Sequence, residues 1–245
     1  MLAILNYHNI APVPPGMRMP QLYVSPDEFA RQLWWLRRLG LVGVTLTEGI
    51  RRLGEGDEAG CVALTFDDGY ADNLVHAAPI LREFEFSATC FIVSERIGTY
   101  NTWDAAQLGG RKLLMTIEQL NTWIGLGFEV GSHTCTHPDL TALSRDAIMK
   151  ELVNSRSELG RIIAAPISTF CYPYGRYNSD VSWCVGRAGY RIAVTTRRGR
   201  ASGVDDLLRL PRVSVNGRKG LVKFLLRAAT PYCDVGRYRE LSRSG

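Results

Sequence analysis

Short apolar runs alternate along this chain with longer stretches in which apolar side chains recur every three or four positions. The first pattern predicts buried strands and the second predicts amphipathic helices. Strands are expected over Leu2 to Tyr7, Val42 to Leu46, Cys61 to Leu64, Ser87 to Val93, Phe128 to Gly131, Ile167 to Tyr172, Arg191 to Thr196 and Arg212 to Val215. Helices are expected over Ser25 to Gly40, Asp72 to Glu85, Thr116 to Gly125, Ser144 to Gly160, Ser179 to Ala188 and Leu221 to Ala229. The first helix has a clear opening. Ser25 can cap it, Pro26 suits its first turn, and Asp27 and Glu28 lie near its positive end. Phe29, Leu33, Leu36 and Leu39 supply its apolar stripe, with Trp34 and Trp35 beside it.

Between these elements the polar stretches read as connections. A Pro-rich loop follows the first strand through Pro20, Gly54 to Gly60 is a polar turn, and Arg197 to Asp206 is a polar loop. Gly98 to Lys112 has weak periodicity and reads as a long loop, of a length that serves either as a lid or as plain surface insertion. Repeated strand-helix alternation implies parallel strands joined by crossovers, hence an α/β fold. A chain of 245 residues suits one domain spanning residues 1–245. The alternation does not separate an open sheet from a closed barrel; in a barrel, chemistry collects at the carboxyl ends of the strands. His8, Asp67, Asp68, His133 and Tyr174 all fall at or just past such ends.

Composition narrows the class. With 46% hydrophobic and 22% charged residues the chain matches ordinary globular proteins, and no apolar run approaches the ~20 residues of a membrane-spanning helix. The opening Met1 to His8 has no positively charged leader, so a first strand is expected there rather than a signal peptide. Cysteines 61, 90, 135, 171, 184 and 233 form no Cys-x-x-Cys pair and are expected to be reduced, which favours a cytoplasmic location, peripheral to the inner membrane at most. The charge is unevenly spread: 14 of the 29 Lys/Arg but only 4 of the 24 Asp/Glu lie from Arg187 onward. A basic end of this kind could meet an anionic membrane surface or a pyrophosphate-linked glycan, with a solvated basic face as the plain alternative. Without aromatic interleaving or a nucleic-acid motif, no nucleic acid partner is expected.

Three stretches carry candidate chemistry. Thr65-Phe66-Asp67-Asp68-Gly69-Tyr70 brings two adjacent carboxylates to a strand end, where alternation points them in different directions and lets them take separate jobs. An Asp-Asp-Gly turn is the structural alternative. Gly131-Ser132-His133-Thr134-Cys135-Thr136-His137 places two of the four histidines within five residues. With one aspartate of the doublet they make a two-histidine, one-carboxylate set suited to a divalent metal. Cys135 between them is expected to pack inward rather than ligate. Phe170-Cys171-Tyr172-Pro173-Tyr174-Gly175 fixes a bend past a strand, where a backbone N–H can serve an oxyanion or simply close a turn.

In this order the three stretches resemble the polysaccharide deacetylase (NodB-homology, carbohydrate esterase 4) family. The similarity runs from about Tyr23 to Val215 and includes Ala188-Gly189-Tyr190 through Thr196. The resemblance implies a distorted (β/α) barrel of about seven parallel strands and metal-assisted removal of acetyl groups from an N-acetylated glycan or glycolipid. It also implies that Asp68, His133 and His137 hold a divalent metal, most often Zn2+, with Co2+, Ni2+, Mn2+ and Fe2+ compatible with the same donors. Asp67 would be the general base on metal-bound water, and the Tyr174 N–H would help hold the oxyanion. Two departures stand out. Cys171 occupies the place of the arginine that usually steers the base, for which Arg212 is a candidate replacement. No histidine follows His137, so the usual general acid is missing. The early Tyr7-His8 resembles the branch acting on poly-N-acetylglucosamine and nominates His8 as acid or substrate contact; a histidine bonded within its loop is the alternative. An O-acetyl esterase, a cyclic-amide hydrolase and a catalytically weak glycan-binding protein are the competing functions.

Overall fold

Ten strands and eight α-helices alternate along residues 1–234, the part of the chain that the computed structural model describes. The strands are β1 (Ala3–Tyr7), β2 (Asn9–Ile10), β3 (Tyr23–Val24), β4 (Val42–Val44), β5 (Cys61–Phe66), β6 (Thr89–Ile92), β7 (Glu129–Ser132), β8 (Thr169–Cys171), β9 (Ile192–Arg198) and β10 (Leu210–Ser214). The helices are α1 (Pro26–Arg38), α2 (Leu46–Glu55), α3 (Ala78–Glu83), α4 (Ala105–Leu108), α5 (Ile117–Gly125), α6 (Arg145–Ile163), α7 (Ser179–Arg187) and α8 (Gly220–Ala229). Of the single domain expected over residues 1–245, residues 235–245 lie outside the described part.

The order β1-β10-β9-β8-β7-β6-β5 returns to β1, so seven parallel strands close into a ring with the helices outside it. This is the (β/α) barrel that the motif resemblance implies, and it has the parallel α/β character that the alternation predicts. The distortion has a specific origin in β5, whose partner changes partway along its length. Its first residues, Cys61 to Ala63, pair with β4, and its last, Thr65 and Phe66, pair with β6. β4 is therefore an eighth strand wedged at the base of the ring.

Strand alternation sorts side chains between two apolar layers. Ala3, Leu5 and Tyr7 of β1 join Leu64 and Phe66 of β5 in the layer packed under α1, α3 and α6. Leu2 and Ile4 point the other way and meet Ala63, Phe91, Cys171, Val194 and Leu210 inside the barrel. Continuing each inward series by two residues leads from this apolar floor to the open end. Leu2 and Ile4 lead to Asn6 and His8, Cys61 and Ala63 lead to Thr65 and Asp67, and Leu210 leads to Arg212 and Ser214. The period of two thus carries each strand from packing to chemistry without a change of face.

Local signals explain most boundaries. Ser25 Oγ accepts from Glu28 N at the start of α1, and Thr116 and Gln119 form a reciprocal capping box on α5. The largest departure from the sequence reading lies between Val42 and Gly60. The strand stops at Val44, Thr45 caps through Glu48 N, and α2 occupies Leu46–Glu55. Gly49 and Gly54 lower the helical signal there, but Gly49 lets the helix approach Leu2 and Ala63 closely. β9 runs to Arg198, two residues into the expected polar loop. The loop after Gly98 holds the short α4 and is pinned by bridges between Tyr100 and Leu113 and between Tyr70 and Leu114. No helix among the described residues is long and apolar enough to cross a membrane.

Gly131 on β7 has no room for a side chain, since a Cβ would sit 2.5 Å from the Phe91 ring and 2.6 Å from Thr169 Oγ1. Gly131→Ala should cost about 1–3 kcal/mol by overpacking. Gly125→Ala, where a Cβ meets nothing within 4 Å, should be neutral or stabilising. Urea unfolding of both variants measures the contrast, and equal midpoints would contradict this packing.

Candidate active site

The inward-facing ends of the strands enclose a pocket of about 370 Å3, open at the carboxyl side of the barrel. Asp67 and Asp68 leave β5 into it by different routes. Asp67 continues the extended chain, its N–H donating to Tyr7 O at 3.0 Å. Asp68 turns into the left-handed region at φ 75°, followed by Gly69 at φ 77°. Aspartate is among the few side chains that tolerate this conformation. The turn directs Asp68 toward the histidines that follow β7. Thr134 (φ 68°), His137 (φ 63°) and Tyr174 (φ 58°) are left-handed as well. Backbone strain is thus concentrated around this pocket, as it is at sites whose geometry is held by their surroundings.

His133 and His137 are buried and both reach Asp68. The Nε2 of each lies 3.5 Å from Asp68 Oδ1. His133 Nδ1 is 2.7 Å from the carbonyl oxygen of Cys171, which can only accept, so Nδ1 carries a proton and Nε2 is the atom turned to Asp68. Burial pushes this ring down, but Cys171 and the Asp68 carboxylate outweigh it and raise the imidazole well above its ordinary value, so a cation bound here would take the place of the Nε2 proton. His137 is driven down to about 3 by burial and by the neighbouring His133, so its imidazole is neutral. Its ring is stacked on Trp103 at 4.7 Å and 22° and met edge-on by Tyr174 at 4.7 Å. The loop between the two histidines is fastened to α6 by Glu151. One carboxylate oxygen accepts from the Cys135 and Thr136 N–H groups at 2.8 and 3.0 Å, and the other from Thr136 Oγ1 at 2.7 Å.

One donor atom from each of Asp68, His133 and His137 lies within 4.8 Å of the others. Two imidazoles and a carboxylate, with open pocket on one side, fit a divalent ion that displaces the His133 Nε2 proton. Donor atoms of a second cluster, Asp67, His133 and Cys171, also lie within 4.8 Å of one another. It is the poorer site, because Arg212 already occupies both Asp67 oxygens and burial pushes the Cys171 thiol up and keeps it protonated. Cys135 packs inward, its thiol donating to Glu151 O.

Arg212 has no exposed surface. Its Nη1 and Nη2 donate to the two oxygens of Asp67 at 2.7 Å each, in a bidentate fork. Further bonds go to Thr65 Oγ1, to Thr195 O and to Cys171 Sγ, the last at 3.2 Å. Burial alone would raise the Asp67 carboxyl, but the Arg212 charge and its two hydrogen bonds outweigh it and hold the group below the usual carboxylate range. Arg212 therefore stands against both Asp67 and Cys171. His8 Nε2 lies 4.0 Å from Asp67 Oδ2, from the β1 side, with its side chain 23% exposed. Tyr174 forms the opposite wall, and its hydroxyl donates to Asp104 Oδ1 at 3.2 Å. Gly175 beside it cannot carry a Cβ, which would fall 2.0 Å from Thr196 Oγ1.

Every residue singled out for chemistry in the sequence thus reaches one pocket or its supporting layer. Trp103 and Asp104 were not singled out, because a loop without periodicity gives no register from which to place them. The available signal was an aromatic-acid pair inside a connection of lid length.

Three outcomes follow from these contacts. Arg212→Leu leaves a buried carboxylate without its partner and should destabilise the fold by about 3–5 kcal/mol, with Asp67→Asn in the same chain recovering part of the loss in urea unfolding. Because the folded pKa of Asp67 is lowered, its contribution is present above the unfolded value of about 3.9 and fades as pH falls through the lower folded one; a flat dependence would contradict the pairing. Glu151→Ala should weaken metal binding about 10–100-fold by releasing the histidine loop, measured by competition with a chromogenic chelator, and an unchanged affinity would rule that role out.

Comparison with known proteins agrees with this geometry. The family model described as polysaccharide deacetylase matches residues 54–193. The Bacillus subtilis protein YxkH is 30% identical over 217 residues, covering 88% of this chain and 71% of its own. The poly-beta-1,6-N-acetyl-D-glucosamine N-deacetylase of Staphylococcus epidermidis is 25% identical over 234 residues, covering 86% of this chain and 78% of its own. Among solved structures, the Streptococcus pyogenes deacetylase PplD in complex with acetate superposes with a TM-score of 0.79 at 26% identity, over 93% of this chain and 97% of that one. The chain belongs to the polysaccharide deacetylase family of hydrolases.

Proposed function

We propose that the protein is a metal-dependent N-deacetylase acting on a glycan built of N-acetylglucosamine, of the poly-β-1,6-linked kind. The observation that carries this reading is the adjacency of two differently bonded aspartates. Asp68 faces two imidazoles, while Asp67 is held anionic by a buried arginine at the same pocket floor. The activity named for the Staphylococcus epidermidis relative supports the choice of polymer.

A divalent ion held by Asp68, His133 and His137 would supply Lewis-acid stabilisation of a developing oxyanion and acidify water; zinc suits the donors best. The remaining chemistry belongs to the chain. Asp67, charged at neutral pH, takes the proton of the water that attacks the acetyl carbonyl carbon. Arg212 orients both of its oxygens and keeps it from being protonated beforehand. The backbone N–H of Tyr174 stabilises the oxyanion. As the carbon–nitrogen bond breaks, the leaving amine requires a proton, and His8, on the other side of Asp67 from the histidine loop, delivers it. Acetate and a free amine leave the pocket. Trp103 and Tyr174 bracket His137 and shield it from solvent, which restricts its ring to the face toward Asp68.

Purified protein should release acetate from β-1,6-linked N-acetylglucosamine oligomers, lose that activity to a chelator and regain it with zinc. Asp67→Asn should lower the rate about 10²–10⁴-fold with metal content retained. Acetate release from acetylxylan alone would move the activity to an O-acetyl esterase. No release under zinc, cobalt, nickel, manganese or iron would refute the enzyme reading.

A further inference from the structure

One side of the reaction pocket carries Lys219, with Arg227 in the adjoining crevice, and nothing in deacetylation of a neutral sugar requires either charge. We propose that Lys219 and Arg227 form a subsite for an anionic group, phosphate or carboxylate, carried by the glycan substrate close to the acetyl group that is removed. The proposal rests on the deacetylase reading and adds to it a substrate class.

Lys219 immediately precedes α8 and lines the same pocket as Asp67 and His133, together with Ser214 and Asn216. A narrower cleft shares Ser214, Asn216 and Lys219 with that pocket and extends it to Arg227. Arg227 is anchored there by a bond from Nη1 to Ser214 O at 3.3 Å, and its Nε is buried without a partner among the described residues. The surrounding charges share one sign. Arg227 first, then burial, then Lys223 and Arg198, push the Lys219 ammonium below its ordinary value. Among the described residues no carboxylate pairs with Lys219, Lys223 or Arg227, whereas the arginines of α1 and α2 form several such pairs.

Gathering like charges beside a pocket costs free energy that an arriving anion returns. Of the acids lining the same pocket, Asp67 is neutralised by Arg212, Asp68 would be neutralised by the cation it shares with the two histidines, and Asp104 keeps its charge while accepting from the Tyr174 hydroxyl. Lys219 is exposed, but it stands at the rim of the cavity that receives the acetylated sugar, with hydroxyl and amide side chains of Ser214 and Asn216 beside it to donate to an oxyanion. A charged unit neighbouring the acetamido sugar, a phosphodiester or a sugar carboxylate, matches that lining.

The test compares three β-1,6-linked N-acetylglucosamine pentamers with the zinc-loaded protein at low ionic strength: neutral, phosphorylated at the reducing end, and carboxylated at the reducing end. The phosphorylated or carboxylated pentamer should show kcat/KM at least about 10-fold above the neutral one, a preference that salt erodes. The ratio should fall toward one in Lys219→Gln and Arg227→Gln, checked for folding by melting. The arm that shows the larger ratio identifies the anion. A ratio near one in the parent protein, with the neutral pentamer turned over, overturns the subsite and leaves the deacetylase reading standing. If no pentamer releases acetate, calorimetric titration of the same three sugars decides. Tighter binding of an anionic pentamer that Lys219→Gln weakens supports the subsite, and equal binding of all three overturns it.

Discussion

A buried guanidinium holds this site together. Arg212 bonds Asp67 and Thr65 at the end of β5, Cys171 at the end of β8 and Thr195 on β9, while itself belonging to β10. Four strands of the ring thus meet on one side chain that has no contact with solvent. Such pairs seldom stabilise a fold as well as apolar packing of equal volume would, because both ions lose their water. The arrangement makes sense as chemistry. It keeps a deeply placed carboxylate charged, and so able to accept a proton, where burial would otherwise neutralise it.

The same alternation that builds the barrel also distributes its chemistry. Leu2 and Ile4, Cys61 and Ala63, and Leu210 fill the interior from below, and two residues further along each strand the inward positions become Asn6 and His8, Thr65 and Asp67, Arg212 and Ser214. Departures from regular backbone come at the top. Left-handed Asp68, Thr134, His137 and Tyr174 each re-aim a side chain just after strand geometry ends. Rigid strands fix where the groups begin, and strained turns fix where they point.

Much of this was legible in the sequence. The strand ends, the aspartate doublet and the histidine pair announce themselves through period and residue type, whereas closure into a ring of seven strands was implied only by the family resemblance, since alternation alone does not separate an open sheet from a barrel. Arg212 was nominated only through the family resemblance, which implies an arginine where Cys171 stands; what the sequence does not show is that position 212 lies on the inward face opposite Asp67, a fact of register between β9 and β10, which carries an irregularity at Leu210/Arg212. α2 was hidden by two glycines, of which Gly49 serves close packing against Leu2 and Ala63 while a Cβ at Gly54 would meet nothing within 4 Å. Trp103 and Asp104 depend on how a long loop docks over the barrel, which is decided by tertiary contacts such as the Tyr174 hydroxyl and the His137 ring.

The central claim is that Asp68, His133 and His137 share one cation while Asp67 stays free of it on Arg212. Anomalous diffraction from crystals grown with zinc tests this most directly. A single peak about 2.0–2.2 Å from Asp68 Oδ1 and from Nε2 of both histidines is the result the account predicts. A peak bounded instead by Asp67, His133 and Cys171, or no peak in the pocket at saturating zinc, would contradict it.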